Sequence, residues 1–269
     1  MRLRLILSPV KKNSILPFNY QYYLASAIYK LLLKISPVYG QFLHDKGYPA
    51  LSGRLMKLFT FSKLFVPNSR ITKYGITSCD SVPWTLYISS PMVQDFIKNF
   101  VKGFLEESKI ELKIQNFLLL LRVEEINFIP APDFKFENNF RTLSPIVLST
   151  IIDRNGKKNI YYYRPTDKNL SLAVENNLRN KLSIVNPEMK IKENLSIQLD
   201  HEYINRRLRQ KKRMTKKITI KPDTPQATDI IGFEIPFKMK CDPELMRIAW
   251  ECGIGEHNSQ GFGMVDIIN

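Results

Sequence analysis

The hydrophobic period of the first 123 residues switches between two and 3.6 in a fixed order, and few folds accept that order. Arg2 to Leu7 alternates arginine with leucine, the pattern of a strand with one wet face. Pro9 to Pro17 reads as a connection, after which Leu24, Ile28, Leu31 and Ile35 share one side of a helix from about Asn19 to Ile35. A loop containing Gly40, Gly47 and Gly53 leads to an aromatic-rich strand over Leu55–Phe65. Trp84, Leu86 and Ile88 alternate with Thr85 and Tyr87 in a further strand. Ser90 and Pro91 suit the N-cap and N1 positions of an amphipathic helix through Val93, Phe96, Ile97, Phe100, Val101 and Phe104. A strand around Glu111 to Val123 completes the series. Strand, helix, strand, strand, helix, strand is the order of a ferredoxin-like unit.

The second half repeats that order with longer insertions. Asn127–Pro132 and Leu143–Asp153 carry the opening strand, and Leu170, Ala173, Val174, Leu178 and Leu182 define a helix. Two strands, near Lys211–Lys221 and Ile230–Lys238, flank a turn rich in Pro222, Asp223 and Pro225. Asp242, Pro243 and Glu244 are an N-cap, an N1 proline and a first-turn acid, and Gly253 stands where a C′ glycine belongs. Gly263–Ile268 is the last strand. The expected fold is therefore α+β, two tandem ferredoxin-like (RRM-like) domains, residues 1–123 and 124–269, facing a central basic cleft.

Forty Lys and Arg against twenty-five Asp and Glu leave a formal charge of +15, which calls for a polyanionic partner. Cys79, Cys241 and Cys252 lie in no CxxC or Cys/His spacing, and His44, His201 and His257 form no cluster. A zinc site or disulfide framework is not expected, no metal or other cofactor is implied, and a reducing cytoplasm fits. The apolar run at the N-terminus is too short for a signal peptide, and no stretch approaches twenty uncharged apolar residues, so no membrane span is expected.

Gly253-Ile-Gly255-Glu-His257-Asn258-Ser259-Gln-Gly261-Phe-Gly263 packs four glycines into eleven residues. Glycine exposes amides and lets a backbone approach a ligand closely, which suits a phosphate-bearing chain. A dinucleotide-binding turn would follow a strand and precede a helix; this loop follows a helix and precedes a strand. A helix stop and tight turn would account for Gly253 alone.

The segment GIGEHNSQGFGMV resembles the glycine-rich signature that closes the CRISPR-associated repeat-cleaving endoribonucleases of the RAMP superfamily. Leu3–Pro9, Pro17–Leu24, the Phe42-Leu-His44-Asp block and Lys57-Leu-Phe-Thr-Phe-Ser62 are similar to that family's N-terminal region. Between these ends the likeness rests on element order and on Thr142-Leu-Ser-Pro-Ile146. The resemblance implies a catalytic trio of a helical tyrosine, a following histidine and a lysine, which by position are Tyr29, His44 and Lys57. His257 stands where a lysine is common, as a rival imidazole or a phosphate contact.

The residue types fit the chemistry. RNA can be cut by its own 2′-hydroxyl attacking the adjacent phosphate, so an enzyme need only move protons and stabilise charge. A histidine, with a reference pKa of about 6.5, can accept or donate a proton at neutral pH. Lysine, near 10.4, suits a fixed cation against the phosphate oxygens, and tyrosine, near 10, suits orientation or proton donation. Which group is base and which is acid stays open.

Arg206, Arg207, Arg209, Lys211, Lys212, Arg213, Lys216, Lys217 and Lys221 crowd one stretch leading into the alternating strand Lys217-Ile-Thr-Ile-Lys221. Such runs are usually solvated faces, but on a β-ribbon they can grip an RNA backbone. With the resemblance, Arg206 to Lys217 and the loop residues Gly253, Gly255, His257, Asn258, Ser259, Gly261 and Gly263 are the expected RNA contacts. The expected function is metal-independent cleavage of precursor CRISPR RNA within each repeat, leaving a 5′-hydroxyl and a cyclic or 3′-phosphate. Interference-complex subunits and a second copy of the chain are compatible further partners. A catalytically silent RNA-binding subunit of the same fold is the alternative. A peripheral membrane protein is disfavoured because the cations fall on a predicted strand rather than an amphipathic helix.

Overall fold

The computed structural model describes residues 1–78, 82–114, 117–154, 156–222 and 224–268. Cys79 and Asp223 lie outside the described residues, as do two positions within the strand expected at 111–123. Among the described residues no helix is long and apolar enough to cross a membrane.

The first half builds a five-stranded antiparallel sheet. Its centre is β1 (Arg2–Pro9), whose Leu3, Leu5 and Leu7 are fully buried. Next in chain order come α1 (Gln21–Ile35), α2 (Pro37–Asp45), β2 (Thr60–Phe61), β3 (Trp84–Ser89), α3 (Lys98–Glu107), β4 (Lys109–Ile114) and β5 (Phe117–Ile129). The sheet runs β2-β3-β1-β5-β4, a ferredoxin-like arrangement with one extra edge strand. The single strand expected at 111–123 is thus a hairpin, and its second arm takes the place beside β1.

Three further departures matter for the site. Gly40 belongs to α2, not to a loop; a Cβ there would stand 2.7 Å from the Leu33 backbone, so glycine lets α2 lie hard against α1. The strand expected at Leu55–Phe65 contributes only Thr60–Phe61 to the sheet, because Leu58 turns into the left-handed region at φ 48°. Ser90 and Pro91 precede a turn of π-helix over Val93–Ile97, and Ser90 Oγ accepts from the Met92 amide instead of capping the helix expected there.

The second half contains β6 (Glu137–Thr142), the hairpin β7 (Ser149–Arg154) and β8 (Lys157–Tyr162), α4 (Leu170–Val185) and β9 (Ser196–Leu199). It continues through α5 (His201–Arg209), the hairpin β10 (Thr215–Ile220) and β11 (Thr228–Phe233), β12 (Phe237–Lys240), α6 (Pro243–Cys252) and β13 (Val265–Ile267). Its sheet order is β9-β12-β6-β13, again ferredoxin-like, so the tandem architecture holds. The opening strand is β6, and neither segment expected for it joins the sheet there. The basic hairpin β10–β11 is an insertion between β9 and β12, not a pair of sheet strands.

The two sheets are tied together through β1. Arg2, expected on a wet face, is 1% exposed: its guanidinium lies 3.9 Å from the Trp250 ring centroid and donates to the Trp250 and Val265 carbonyls and to Asp266. The face of β1 that water would have covered is covered at Arg2 by the second half.

Candidate active site

His44 sits in the last turn of α2, at the surface, with Nδ1 2.8 Å from Asp45 Oδ1. His44 and Gln41 hold the Asp45 carboxyl below its ordinary range. With Nδ1 turned to Asp45, Nε2 is the nitrogen left for a substrate.

Tyr29 projects from α1 onto the imidazole, ring edge to ring face, with centroids 5.4 Å apart. Its other neighbour is Phe59, at 5.6 Å. Burial pushes the Tyr29 phenol up to about 12, against the opposing effect of a hydrogen bond to the Ser259 side chain. The tyrosine therefore stays protonated throughout the physiological range and links the N-terminal imidazole to the C-terminal loop.

Lys57 follows the short strand Leu55–Met56 and donates from Nζ to the His44 carbonyl at 2.7 Å. Burial lowers its pKa, and Asp45 opposes that shift. Lys57 and Phe59 line one wall of a cavity of about 410 Å³; Lys181, His257, Asn258 and Ser259 are among the residues of the other. The structure thus brings together all three members of the expected trio and the loop carrying His257.

The loop is built differently from expectation. The Gly253 amide donates to Ala249, that of Gly255 to Asn177 Oδ1, that of Gly261 to Asn258 and that of Gly263 to Pro145. Four buried glycines with committed amides cannot cradle phosphates through those amides. They are needed for close packing: all four have positive φ, and a Cβ on Gly263 would come within 2.0 Å of the Ile254 carbonyl oxygen. Asn258 is likewise committed, donating to Ile254 and Phe262 and accepting from Lys181. Gly255, His257, Asn258 and Ser259 are the expected loop contacts that line the cavity, and of these His257 and Ser259 are not tied up in holding the loop together. His257 occupies the left-handed region and turns Nδ1 to Gln260 Oε1 at 3.0 Å.

Beneath the loop lies a support that sequence reasoning missed. Asn177 and Lys181, one turn apart on α4, are both buried, and Asn177 clamps Gly255 through both its carbonyl and its amide. A signal was there to be found. Positions 177 and 181 continue the apolar stripe of Val174, Leu178 and Leu182, so two polar residues fall on a core-facing side.

The basic run is divided. Arg206, Arg207 and Arg209, expected to lead into the strand, stand in the last turn of α5, capped by Asp200, so the ground for disfavouring a membrane surface, cations on a strand, does not hold for these three. α5 buries no residue. Lys211, Lys212 and Arg213 form the exposed turn, and Lys216 and Lys217 lie on β10. Lys217 pairs with Asp229 at 2.8 Å and Lys216 with Glu234 at 3.6 Å, so these two are partly neutralised. The apolar face of the hairpin (Ile218, Ile220 and Ile230) packs with Val147 and with Phe262 of the glycine loop. The cations are thereby fixed to the element that closes the cavity.

Residues 15–124 match the family described as CRISPR-associated protein Cas6, N-terminal, and residues 129–267 match CRISPR associated protein Cas6, C-terminal. The chain belongs to the Cas6 family. A relative from Methanocaldococcus jannaschii, CRISPR-associated endoribonuclease Cas6 1, is 35% identical over 252 residues, covering 94% of this chain and 87% of its own length. CRISPR-associated endoribonuclease Cas6 of Pyrococcus furiosus is 26% identical, covering 99% and 90%. Among solved structures, one described as CRISPR associated protein Cas6 superposes with a TM-score of 0.75 at 30% identity, covering 100% of this chain and 99% of that one. The Cas6 likeness therefore extends through the middle of the chain as well as its ends.

Proposed function

We propose that this Cas6 protein is an endoribonuclease that cuts precursor CRISPR RNA within its repeats by attack of the RNA's own 2′-hydroxyl, with His44, Tyr29 and Lys57 as the catalytic groups. The observation that supports the reading is the clustering of an Asp45-backed imidazole, a protonated phenol against it and a lysine bonded to its carbonyl, the lysine lining a cavity shared with the C-terminal loop. His44 Nε2 is suited to proton transfer, as base toward the 2′-hydroxyl or acid toward the leaving 5′-oxygen. Tyr29, with its phenol held neutral, is suited to donating a hydrogen bond. Lys57 is suited to meeting the charge that grows on the non-bridging oxygens. The nucleophile belongs to the substrate, so no metal is required, and the products are a 5′-hydroxyl and a 2′,3′-cyclic or 3′-phosphate.

In the same reading, residues 1–123 carry the catalytic groups, and residues 124–269 grip RNA through the cations of α5 and its following turn and through His257 and Ser259. The setting is the cytoplasm, with product passed to interference-complex subunits and pairing of two copies as companion expectations.

The test is cleavage of repeat RNA in EDTA, repeated with a 2′-deoxy sugar at the scissile nucleotide. Cutting in EDTA that the deoxy sugar abolishes is the expected result; binding without cutting would favour a silent RNA-binding subunit. His44→Ala, Tyr29→Phe, Lys57→Ala and His257→Ala, each with affinity measured alongside, assign the site. Loss of turnover with His257→Ala alone overturns the trio.

A further inference from the structure

We infer that Lys181 is a positioning residue for cleavage: it holds the turn Asn258–Gln260, and through it Ser259, against the Tyr29 hydroxyl. The inference rests on the endoribonuclease reading of the site. Lys181 is 3% exposed, and its Nζ donates to the Gly253 carbonyl at 2.7 Å, the Gly255 carbonyl at 2.9 Å and Asn258 Oδ1 at 2.7 Å. Three oxygens on three donors saturate an ammonium, so the group is fully used and entirely within the loop's underside. Asn258, held at its carbonyl oxygen by Lys181, spans the loop with its amide, donating to Ile254 at 3.2 Å and Phe262 at 3.0 Å. Its chain neighbour is Ser259, in the turn that packs against α1, where the serine side chain favours ionisation of the Tyr29 phenol. Removing the ammonium therefore takes its donor from the Gly253 carbonyl and the Asn258 side-chain oxygen and leaves the Gly255 carbonyl to Asn177 alone, at the root of the turn that packs beside the catalytic tyrosine.

A lysine is an uncommon choice for a buried structural strut, because burial opposes its charge. Here burial pushes it down to about 8, while the Glu256 carboxylate favours the charge. Cys252, at the end of α6, is itself pushed up to about 12 and so is neutral near pH 8. Glu256 is engaged by Ser149 Oγ and by Arg54, and Arg54 and Lys57 stand across the same cavity. Three acceptors need the three hydrogens that only the ammonium carries. The loop should lose definition as Lys181 deprotonates, with the chemical step slowing while RNA affinity persists.

The experiment is single-turnover cleavage from pH 6.5 to 9.5 with RNA affinity and amide exchange over residues 253–263, on wild type, Lys181→Met and Asn177→Ala. Wild type should slow as pH passes about 8. Lys181→Met should be about 10- to 100-fold slower at neutral pH, with affinity within about twofold, and should lack that alkaline decline. Asn177→Ala, which loses only the Gly255 clamp, should be slower yet keep the decline. Lys57 also titrates low, so a decline that persists in Lys181→Met belongs to Lys57 and overturns the inference. Lys181→Met cutting at wild-type speed overturns it equally. If Lys181→Met does not fold, a wild-type rate that stays level through pH 8 overturns it. If wild type cuts no RNA, the endoribonuclease reading fails by itself. Loop exchange then decides the anchoring, and exchange unchanged in Lys181→Met rejects it.

Discussion

His44 is placed by its neighbour in sequence and by its neighbours in space. Asp45 Oδ1 engages Nδ1, while the Tyr29 ring fixes the plane of the imidazole. Asp45→Asn should therefore slow single-turnover cleavage by about 10-fold or more while leaving repeat-RNA affinity unchanged. Equal turnover in Asp45→Asn would show that the carboxylate has no part in orienting the imidazole. Lys181 gives a second residue-scale prediction, on stability. Its pKa in the fold is about 8, below the ordinary 10.5, so between those values the unfolded chain binds more protons than the folded one. Stability should therefore rise with pH across that window, and the full penalty, on the order of 3 kcal/mol, should apply below pH 8. Denaturation of wild type against Lys181→Met from pH 7 to 10.5 checks this, since the variant lacks that slope. The opposite trends expected of stability and turnover separate a positioning role from a merely structural one.

At the scale of elements, the glycine loop is a packing device with a reactive rim. Gly263→Ala forces a Cβ to within 2.0 Å of a backbone oxygen at φ +75°, whereas Gly156→Ala meets the same backbone strain with open space around it. Chemical denaturation should show a loss of about 1 kcal/mol for Gly156→Ala and clearly more, about 3 kcal/mol, for Gly263→Ala. The basic segment is an α-helical turn, a loop and a strand rather than one β-ribbon. Its free cations should act on affinity alone. Replacing Arg206, Arg209, Lys211 and Lys212 by Gln should lower the slope of log affinity against log salt by about 0.7 to 0.9 for each phosphate no longer neutralised, leaving the cleavage rate of saturated enzyme unchanged. An unchanged slope would remove this segment from the RNA interface. The sequence did not reveal the helix that carries Arg206 to Arg209, because Tyr203, Ile204 and Leu208 are too few to mark a helical stripe and α5 buries no residue to enforce one.

For the molecule as a whole, the decisive contact is the meeting of its two ends. Arg2 is buried against Trp250, Val265 and Asp266, and the amino terminus pairs with Glu251 at 2.6 Å. Arg2→Met, which keeps much of the apolar volume but removes the buried guanidinium's bonds to Asp266 and to the Trp250 and Val265 carbonyls, should lower unfolding stability by roughly 3 kcal/mol. It should also reduce cleavage, because the two sheets that carry Tyr29 and Ser259 lose their shared anchor. Retention of full stability would mean that the halves are held by the apolar contacts alone. Hydrophobic periodicity, an N-cap and a C′ glycine determined where α1, α4 and α6 lie and the ferredoxin-like order of both halves, since those signals act over a few neighbouring residues. The resemblance of the end segments pointed to Tyr29, His44 and Lys57. Only the tertiary structure decided that Arg2 is buried and that the loop glycines serve packing. It also decided that Asn177 and Lys181 lie beneath the loop and that Ser259 reaches Tyr29. Each of these is a contact between residues far apart in the chain, and local patterning carries no record of which distant atom will stand opposite a given side chain.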